Sequence, residues 1–195
     1  MNVMSCDKKP VPPEIKKLFV SYETVHKLVK ELSSKVLASG FDPDVIVAIG
    51  SGGFIPARIL KTFINRPIFA VGISYYGIDN KHCDHPTKIQ WIDEVQQALR
   101  GKNILLIDEV DDTRATLSYC TQELLKYNPK EIAVLILHNK LKKKDADFPV
   151  EIQKYFPARE IPDIWIKYPW DAIDIDQQCK EEAKQIEKTK KLEKK

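Results

Sequence analysis

The stretch Asn103-Ile104-Leu105-Leu106-Ile107-Asp108-Glu109-Val110-Asp111-Asp112-Thr113-Arg114-Ala115-Thr116 organises the chain. Asn103 to Ile107 is a short apolar run with the length and residue types of a buried strand. Four carboxylates follow within five positions, then two threonines, then a helix-like segment, Leu117 to Tyr127. The order is strand, acidic turn, helix N-terminus. In an open α/β sheet, ligands gather just outside the carboxyl ends of the strands. The turn is therefore both a fold marker and a candidate site.

So much negative charge needs a partner. Two like charges about 4 Å apart repel by roughly 4 kcal/mol at an effective dielectric of about 20. A helix N-terminus offsets only about 0.3–1 kcal/mol per group. The partner is a divalent cation, ligand hydroxyls, or a proton kept on one carboxylate. A solvated acidic loop with ordinary helix caps is the plainer reading of such a turn. The apolar strand before it and the pair Thr113 and Thr116 after it weigh against that reading here. Exposed N–H groups at a helix start suit an anion, and hydroxyls add donors. The acidic half suits hydroxyls and metal, and the threonine half suits phosphate. A sugar phosphate with free hydroxyls satisfies both.

Upstream, residues 1–13 carry Pro10, Pro12 and Pro13 and read as a loose arm; residues 1–19 are set apart from the domain. From Ser21 onward Val25, Leu28, Val29, Leu32, Val36 and Leu37 recur at helical spacing. Ser21 suits the cap and Gly40 the stop. Asp44 to Ile49 is the first strand candidate. It runs into Gly50-Ser51-Gly52-Gly53 and a helix to about Phe63 that carries Arg58. Glycines between a strand and a helix let backbone approach an anion closely, although a Gly-rich turn is also simply tight. The turn lacks the Lys of a Walker A loop and the spacing of a dinucleotide fingerprint.

Ile68 to Ile73 is the next strand. Ser74-Tyr75-Tyr76-Gly77 and a polar stretch to about Lys88 follow it. Roughly a dozen residues without periodicity inside a compact domain indicate a functional loop. His82-Cys83-Asp84-His85 makes a poor zinc site, because its ligands are adjacent and no second cluster joins them. Glu131 to Leu137 is a fourth strand, running into His138-Asn139-Lys140-Leu141-Lys142-Lys143-Lys144. The lysine run reads as a solvated turn, and His138 as structural rather than catalytic.

Glu160-Ile161-Pro162-Asp163-Ile164-Trp165-Ile166-Lys167-Tyr168-Pro169-Trp170-Asp171 is the second informative stretch. Its aromatic residues suit the edge of a core as well as a ligand. Residues 177–195 alternate Lys and Glu with few apolar positions. Pairs at i,i+4 contribute about 0.2–0.5 kcal/mol each, so a frayed, solvated helix or a disordered tail is expected.

Composition narrows the class. A chain of 195 residues, 43% hydrophobic and 30% charged, reads as one soluble globular domain. The net charge is +3, and residues 177–195, with seven Lys and four Glu, supply all of it. The body is formally neutral, which argues against a nucleic-acid footprint. Nothing reads as a signal peptide or membrane span. Cys6, Cys83, Cys120 and Cys179 form no paired motif, which fits free thiols and a cytoplasmic protein.

Leu105 to Leu117 resembles the signature of type I phosphoribosyltransferases, and the resemblance covers roughly residues 20–176. It implies an α/β fold with a mostly parallel twisted sheet, flanking helices and a small hood. The pattern Ile161-Pro162, Trp165-Ile166 and Pro169-Trp170-Asp171 resembles the base-binding segment of the purine branch, closest to xanthine-guanine and fungal hypoxanthine enzymes.

The resemblance then implies roles. Asp108 and Glu109 hold the ribose hydroxyls of phosphoribosyl pyrophosphate (PRPP), and Asp112 manages the purine N7 proton. Thr113, Arg114, Ala115 and Thr116 hold the 5-phosphate. Ser51, Gly52 and Gly53, with Arg58, take the pyrophosphate, and the family's cis peptide falls at Gly50–Ser51. Ser74 and Tyr75 belong to the hood. Lys140 meets the purine O6, Trp165 stacks on the base, and the Ile166 carbonyl reads the group at C2. Asp108, Glu109 and Asp171 help hold Mg2+, largely through water and PRPP oxygens. The family usually has Gly where this chain has Arg114, although some fungal purine enzymes carry Arg there. The implied partners are PRPP, a purine base, the nucleoside monophosphate, pyrophosphate and further copies of the chain in a homodimer or homotetramer.

Two rivals stand beside this reading. An apolar strand ending in acid also resembles an aspartyl-phosphate phosphatase or receiver domain. The phosphatase spacing fails, since Val110 stands two places after Asp108 and the in-register match starts at Glu109. The other rival is a PRPP- or nucleotide-binding regulatory protein without turnover.

Overall fold

Five mutually parallel strands and one antiparallel edge strand make the central sheet. The computed structural model describes residues 17–76 and 82–192; the side chains of Tyr75, Tyr76 and residues 82–85 also lie outside that description. In chain order the elements are β1 (Lys17–Phe19), α1 (Tyr22–Ala38), β2 (Val45–Gly50), α2 (Phe54–Leu60), β3 (Ile68–Tyr76), β4 (His82–Gln90) and α3 (Val95–Leu99). Then come β5 (Asn103–Asp111), α4 (Ala115–Leu125), β6 (Glu131–Lys140), β7 (Lys154–Ile161), β8 (Trp165–Lys167), a 3-10 turn (Pro169–Asp171) and α5 (Ile175–Leu192).

The sheet is buried on both faces, as parallel sheets are. Successive strand residues point to opposite faces. Leu105 and Ile107 of β5, with Ala133, Leu135 and Leu137 of β6, pack under Val25, Leu32 and Val36 of α1 and Ala57 and Leu60 of α2. Ile104 and Leu106, with Ile132, Val134 and Ile136, pack under Leu117, Cys120 and Leu124 of α4 and Leu99 of α3. Burying each such side chain contributes roughly 1.5–3 kcal/mol. Helix α1 starts where its cap is expected: the Ser21 hydroxyl accepts from Thr24 N–H at 3.1 Å, and Gly40 has φ +74°.

The strand order is β4-β3-β2-β5-β6-β7. The chain winds one way from β2 through β3 and the other way from β5, so the switch point lies between β2 and β5. The carboxyl ends of these two strands carry the glycine turn and the acidic turn, and this is where ligands of open α/β sheets bind.

Three strands outrun their apolar cores. β5 continues through Glu109 to Asp111, β3 to Tyr76 and β6 to Lys140. Register persists there, with Val110 opposite His138 and Asp111 opposite Asn139. Ladder bonds belong to the backbone, so polar side chains do not end the strand. The expected loop after Ile73 is instead an antiparallel β3–β4 hairpin with Ser74 opposite Thr87; residues 77–81 lie outside the described residues.

Both chain ends differ from expectation. Residues 17–19, assigned to the arm, form β1, which pairs in parallel with β8. The tail is a helix, mostly exposed, one of the two expected forms, but α5 also lies along β1 and bonds to its backbone. Gln185 accepts from Phe19 N–H at 3.1 Å, and Glu182 accepts from Ser21 N–H at 2.9 Å. No helix among the described residues is long and apolar enough to cross a membrane.

Candidate active site

The two turns at the switch point interlock. A Cβ on Gly52 would fall 1.9 Å from Glu109 Oε2, and one on Gly53 would fall 2.6 Å from the Ile107 carbonyl oxygen. Space requires glycine at Gly53, where the clash is with backbone; at Gly52 a larger residue would displace the Glu109 carboxylate. The peptide Gly50–Ser51 is cis, at the position the resemblance implied.

Asp108 is buried, and its Oδ1 accepts from Glu109 N–H at 2.9 Å. Burial first, and the Glu109 charge second, push its carboxyl well above the usual carboxylate range. One member of the acidic turn thus favours keeping its proton. With Asp108 ionised, the buried Glu109 Oε2 receives no hydrogen bond from the described residues. The two carboxyls share the Asp108 proton through a side-chain hydrogen bond, and a hard cation that keeps most of its water and ligand oxygens would take that proton's place. No group of three or more His, Cys, Asp or Glu side chains able to hold a metal occurs among the described residues. Asp171, the third residue implied for Mg2+, makes no such direct-ligand group with Asp108 and Glu109. Its segment is nearby, because Tyr168 donates its phenol to the Glu109 carbonyl at 2.9 Å.

Asp111 faces the other way. It is fully buried, and its Oδ2 accepts Arg114 Nε at 2.9 Å, Arg114 Nη2 at 2.8 Å and the Tyr155 phenol at 2.9 Å. The Arg114 guanidinium also lies 4.6 Å over the Phe148 ring. Arg114 adopts φ +69°, which explains why Gly is usual there. Its side chain turns to Asp111, while its backbone stays in the turn before α4. Thr113, Ala115 and Thr116 remain at the start of α4. Ala115 N–H meets only Thr113 Oγ1, at a long 3.4 Å, and Arg114 offers no side-chain cap.

Asp112 sits in an alternating square of charges. Its Oδ2 accepts Lys140 Nζ at 3.0 Å and its Oδ1 lies 2.7 Å from Lys142 Nζ. Asp163, between β7 and β8, stands 3.5 Å from Lys140 and 3.3 Å from Lys142. Burial opposes ionisation of Asp112, but hydrogen bonds from Lys142 and Lys140 outweigh it and hold the carboxyl below its ordinary value. Lys144 donates to the carbonyls of Asp111 at 2.7 Å and Asp112 at 2.9 Å. The lysine run is thus not a solvated turn. Lys140, Lys142 and Lys144 share one face and clamp the acidic loop, while Lys143 is exposed.

In β8, Trp165 is 67% exposed and the next residue, Ile166, is buried. His138 is buried, with Nδ1 2.9 Å from the Tyr168 hydroxyl. Burial, then Arg159, lowers its pKa to about 3. The Tyr168 proton goes to the Glu109 carbonyl, so neutral His138 must carry its hydrogen on Nδ1 and donate to Tyr168.

Arg58 lies elsewhere. It is exposed on α2 and lines a groove with Lys61, Thr62, Asn65 and Ile68. Ile68 begins β3, at the opposite end of the sheet from the glycine turn, because α2 runs back along β2. The side chain of Tyr75 and those of His82, Cys83, Asp84 and His85 fall outside the described residues. Sequence reasoning passed over Lys142, Lys144, Asp163 and Tyr168. The spacing of Lys140, Lys142 and Lys144, every second residue just past the end of β6, was the available signal for side chains sharing one side.

The family model of the phosphoribosyl transferase domain matches residues 21–171, and the chain belongs to that family. It is 39% identical to a hypoxanthine-guanine phosphoribosyltransferase of Schizosaccharomyces pombe, over 86% of this chain and 95% of the relative. It is 37% identical to xanthine phosphoribosyltransferase 1 of Saccharomyces cerevisiae, over 84% and 94%. Among solved structures, a hypothetical protein from Neisseria gonorrhoeae with bound ppGpp superposes with TM-score 0.80 at 42% identity, over 86% of this chain and 96% of that one.

Proposed function

We propose that this chain is a purine salvage enzyme that transfers the 5-phosphoribosyl group of PRPP to a 6-oxopurine, giving a nucleoside 5'-monophosphate and pyrophosphate. The observation that carries this reading is the pairing of Asp112 with Lys140 at 3.0 Å, between the acidic turn and the Trp165 segment. A base and an O6 donor belong together at that junction. The relatives act on hypoxanthine, guanine and xanthine by name, and those three bases are the candidate acceptors.

In this reading the free N–H groups at the start of α4, with Thr113 and Thr116, take the 5-phosphate. Asp108 and Glu109 take the ribose hydroxyls. Ser51, Gly52 and Gly53 take the pyrophosphate, and the β3–β4 hairpin with Ser74 and Tyr75 closes over it to exclude water. Trp165 stacks on the base and the Ile166 carbonyl meets its C2 group. Lys140 leaves Asp112 for the purine O6, and Lys142 stays to orient the carboxylate. As the purine N9–C1' bond forms and the C1'–pyrophosphate bond breaks, Asp112 receives the N7 proton. Mg2+, held through Asp108, Glu109 and Asp171 with water, would neutralise the departing pyrophosphate. A cytoplasmic homodimer or homotetramer is part of the same proposal and is checked by sedimentation.

A magnesium-dependent assay with PRPP against hypoxanthine, guanine, xanthine and orotate tests it. Product from at least one 6-oxopurine is expected. Product from orotate alone would overturn the purine assignment. The ppGpp bound to the Neisseria protein favours a second reading, a site occupied by a guanosine nucleotide without turnover. Tight GMP binding with no product from any base would select it.

A further inference from the structure

Strands β1 and β8 are three residues each and, among the described residues, pair only with one another. Two strands of that length are marginal in water without a third partner or a packed face, and the outer edge of β1 would leave backbone N–H and C=O groups open. Helix α5 fills that edge. The Gln185 carboxamide accepts Phe19 N–H at 3.1 Å and donates to the Lys17 carbonyl at 2.6 Å. A carboxamide carries the acceptor and donor pair of a peptide group, so Gln185 bonds to β1 as a strand residue would. Glu182 accepts Ser21 N–H at 2.9 Å. Gln178, 2% exposed, donates to the carbonyls of Val20 at 2.9 Å and Lys167 at 2.6 Å, tying β1 to β8 directly. These residues lie four and three positions apart, on one helix face.

We infer that α5 is a positioning element for the base: Gln178, Glu182 and Gln185 act as the missing neighbour of β1 and thereby hold Trp165 and Ile166 of β8 at the height of the purine. This rests on the proposed assignment of β8 to the base. The family match ends at residue 171, before α5 begins, so the helix lies outside the matched domain.

The test uses the full chain with Gln178→Met and, separately, Gln185→Met, which keep side-chain length and remove the polar bonds. Backbone hydrogen exchange is followed across 17–20, 165–167 and 104–107, and KM is measured for purine and for PRPP. Exchange in the first two segments is expected to rise about tenfold, with 104–107 unchanged and the purine KM raised by a similar factor. The PRPP KM and kcat stay near wild type. Unchanged exchange and purine KM in both variants overturn the inference. So does a uniform rise in exchange with both KM values moving together, the signature of general destabilisation. If Gln178→Met does not fold, Gln185→Met decides alone. Wild type without purine turnover would instead sink the functional reading, and the exchange data would still decide whether α5 holds β8.

Discussion

Lys140 Nζ stands 3.0 Å from one oxygen of Asp112, while Lys142 Nζ stands 2.7 Å from the other. The carboxylate proposed to receive a proton is thus tied on both sides, and one of its ties is the proposed O6 donor. Asp112→Asn should leave PRPP binding intact and lower turnover by about 10²–10⁴-fold, the usual yield of general acid–base catalysis. Steady-state kinetics with a direct PRPP binding measurement checks both halves. Turnover like wild type would remove Asp112 from the role.

Lys142 sets how strongly Asp112 holds its proton. Its hydrogen bond is the leading lowering influence on a carboxyl that burial alone would raise. Lys142→Gln should therefore move the acidic limb of the kcat/KM profile towards higher pH. The stability sign follows. A depressed folded pKa contributes stability above the unfolded value of about 4 that is lost as pH falls through the folded value. The variant should lose less stability than wild type on acidification through that window. Coincident pH profiles in kinetics and urea unfolding would refute this.

Arg114 replaces the family's glycine at a cost that its side chain outweighs. Holding a non-glycine residue at φ +69° costs of order 1–3 kcal/mol. Removing the guanidinium would leave the buried Asp111 carboxylate with Tyr155 and Lys144 alone, and breaking a buried pair costs about 3–5 kcal/mol. Arg114→Gly should therefore lower unfolding free energy by about 2 kcal/mol despite the backbone relief. Arg114→Lys should not restore it, because Lys lacks the bidentate fork. Chemical denaturation of the two variants is the measurement, and a more stable glycine variant would reverse the argument.

His138 should stay neutral across the physiological range. With its pKa lowered to about 3 by burial, its imidazole resonances should not shift between pH 5 and 8. The unfolded chain binds a proton at this residue near the usual value of about 6.5, so stability should rise with pH from about 3 to 6.5 and then level off. Replacement by Gln should remove that part of the pH dependence. An imidazole titrating near neutrality would show that the buried chain through Tyr168 is drawn wrongly.

The amino-acid sequence by itself determined the parallel sheet and the place of the site. Apolar runs such as Ile104–Ile107 and Ile132–Leu137 are buried on both faces wherever they occur in such a sheet, and helical periodicity from Val25 to Val36 needs no knowledge of neighbours. Charge density in Asp108–Asp112 likewise demanded a partner before any partner was visible. Tertiary structure alone decided which partner each carboxylate took. Asp111 and Asp112 are adjacent in the chain, yet their side chains take different partners, one Arg114 and Tyr155, the other Lys140 and Lys142. It also decided the fate of the charged tail. Composition assigns Lys and Glu to solvent, but three side chains on one face of α5 satisfy the open edge of a strand some 160 residues earlier in the chain. Hydrogen bonds to a distant backbone leave no periodic trace in sequence, because the groups they satisfy are the same in every residue.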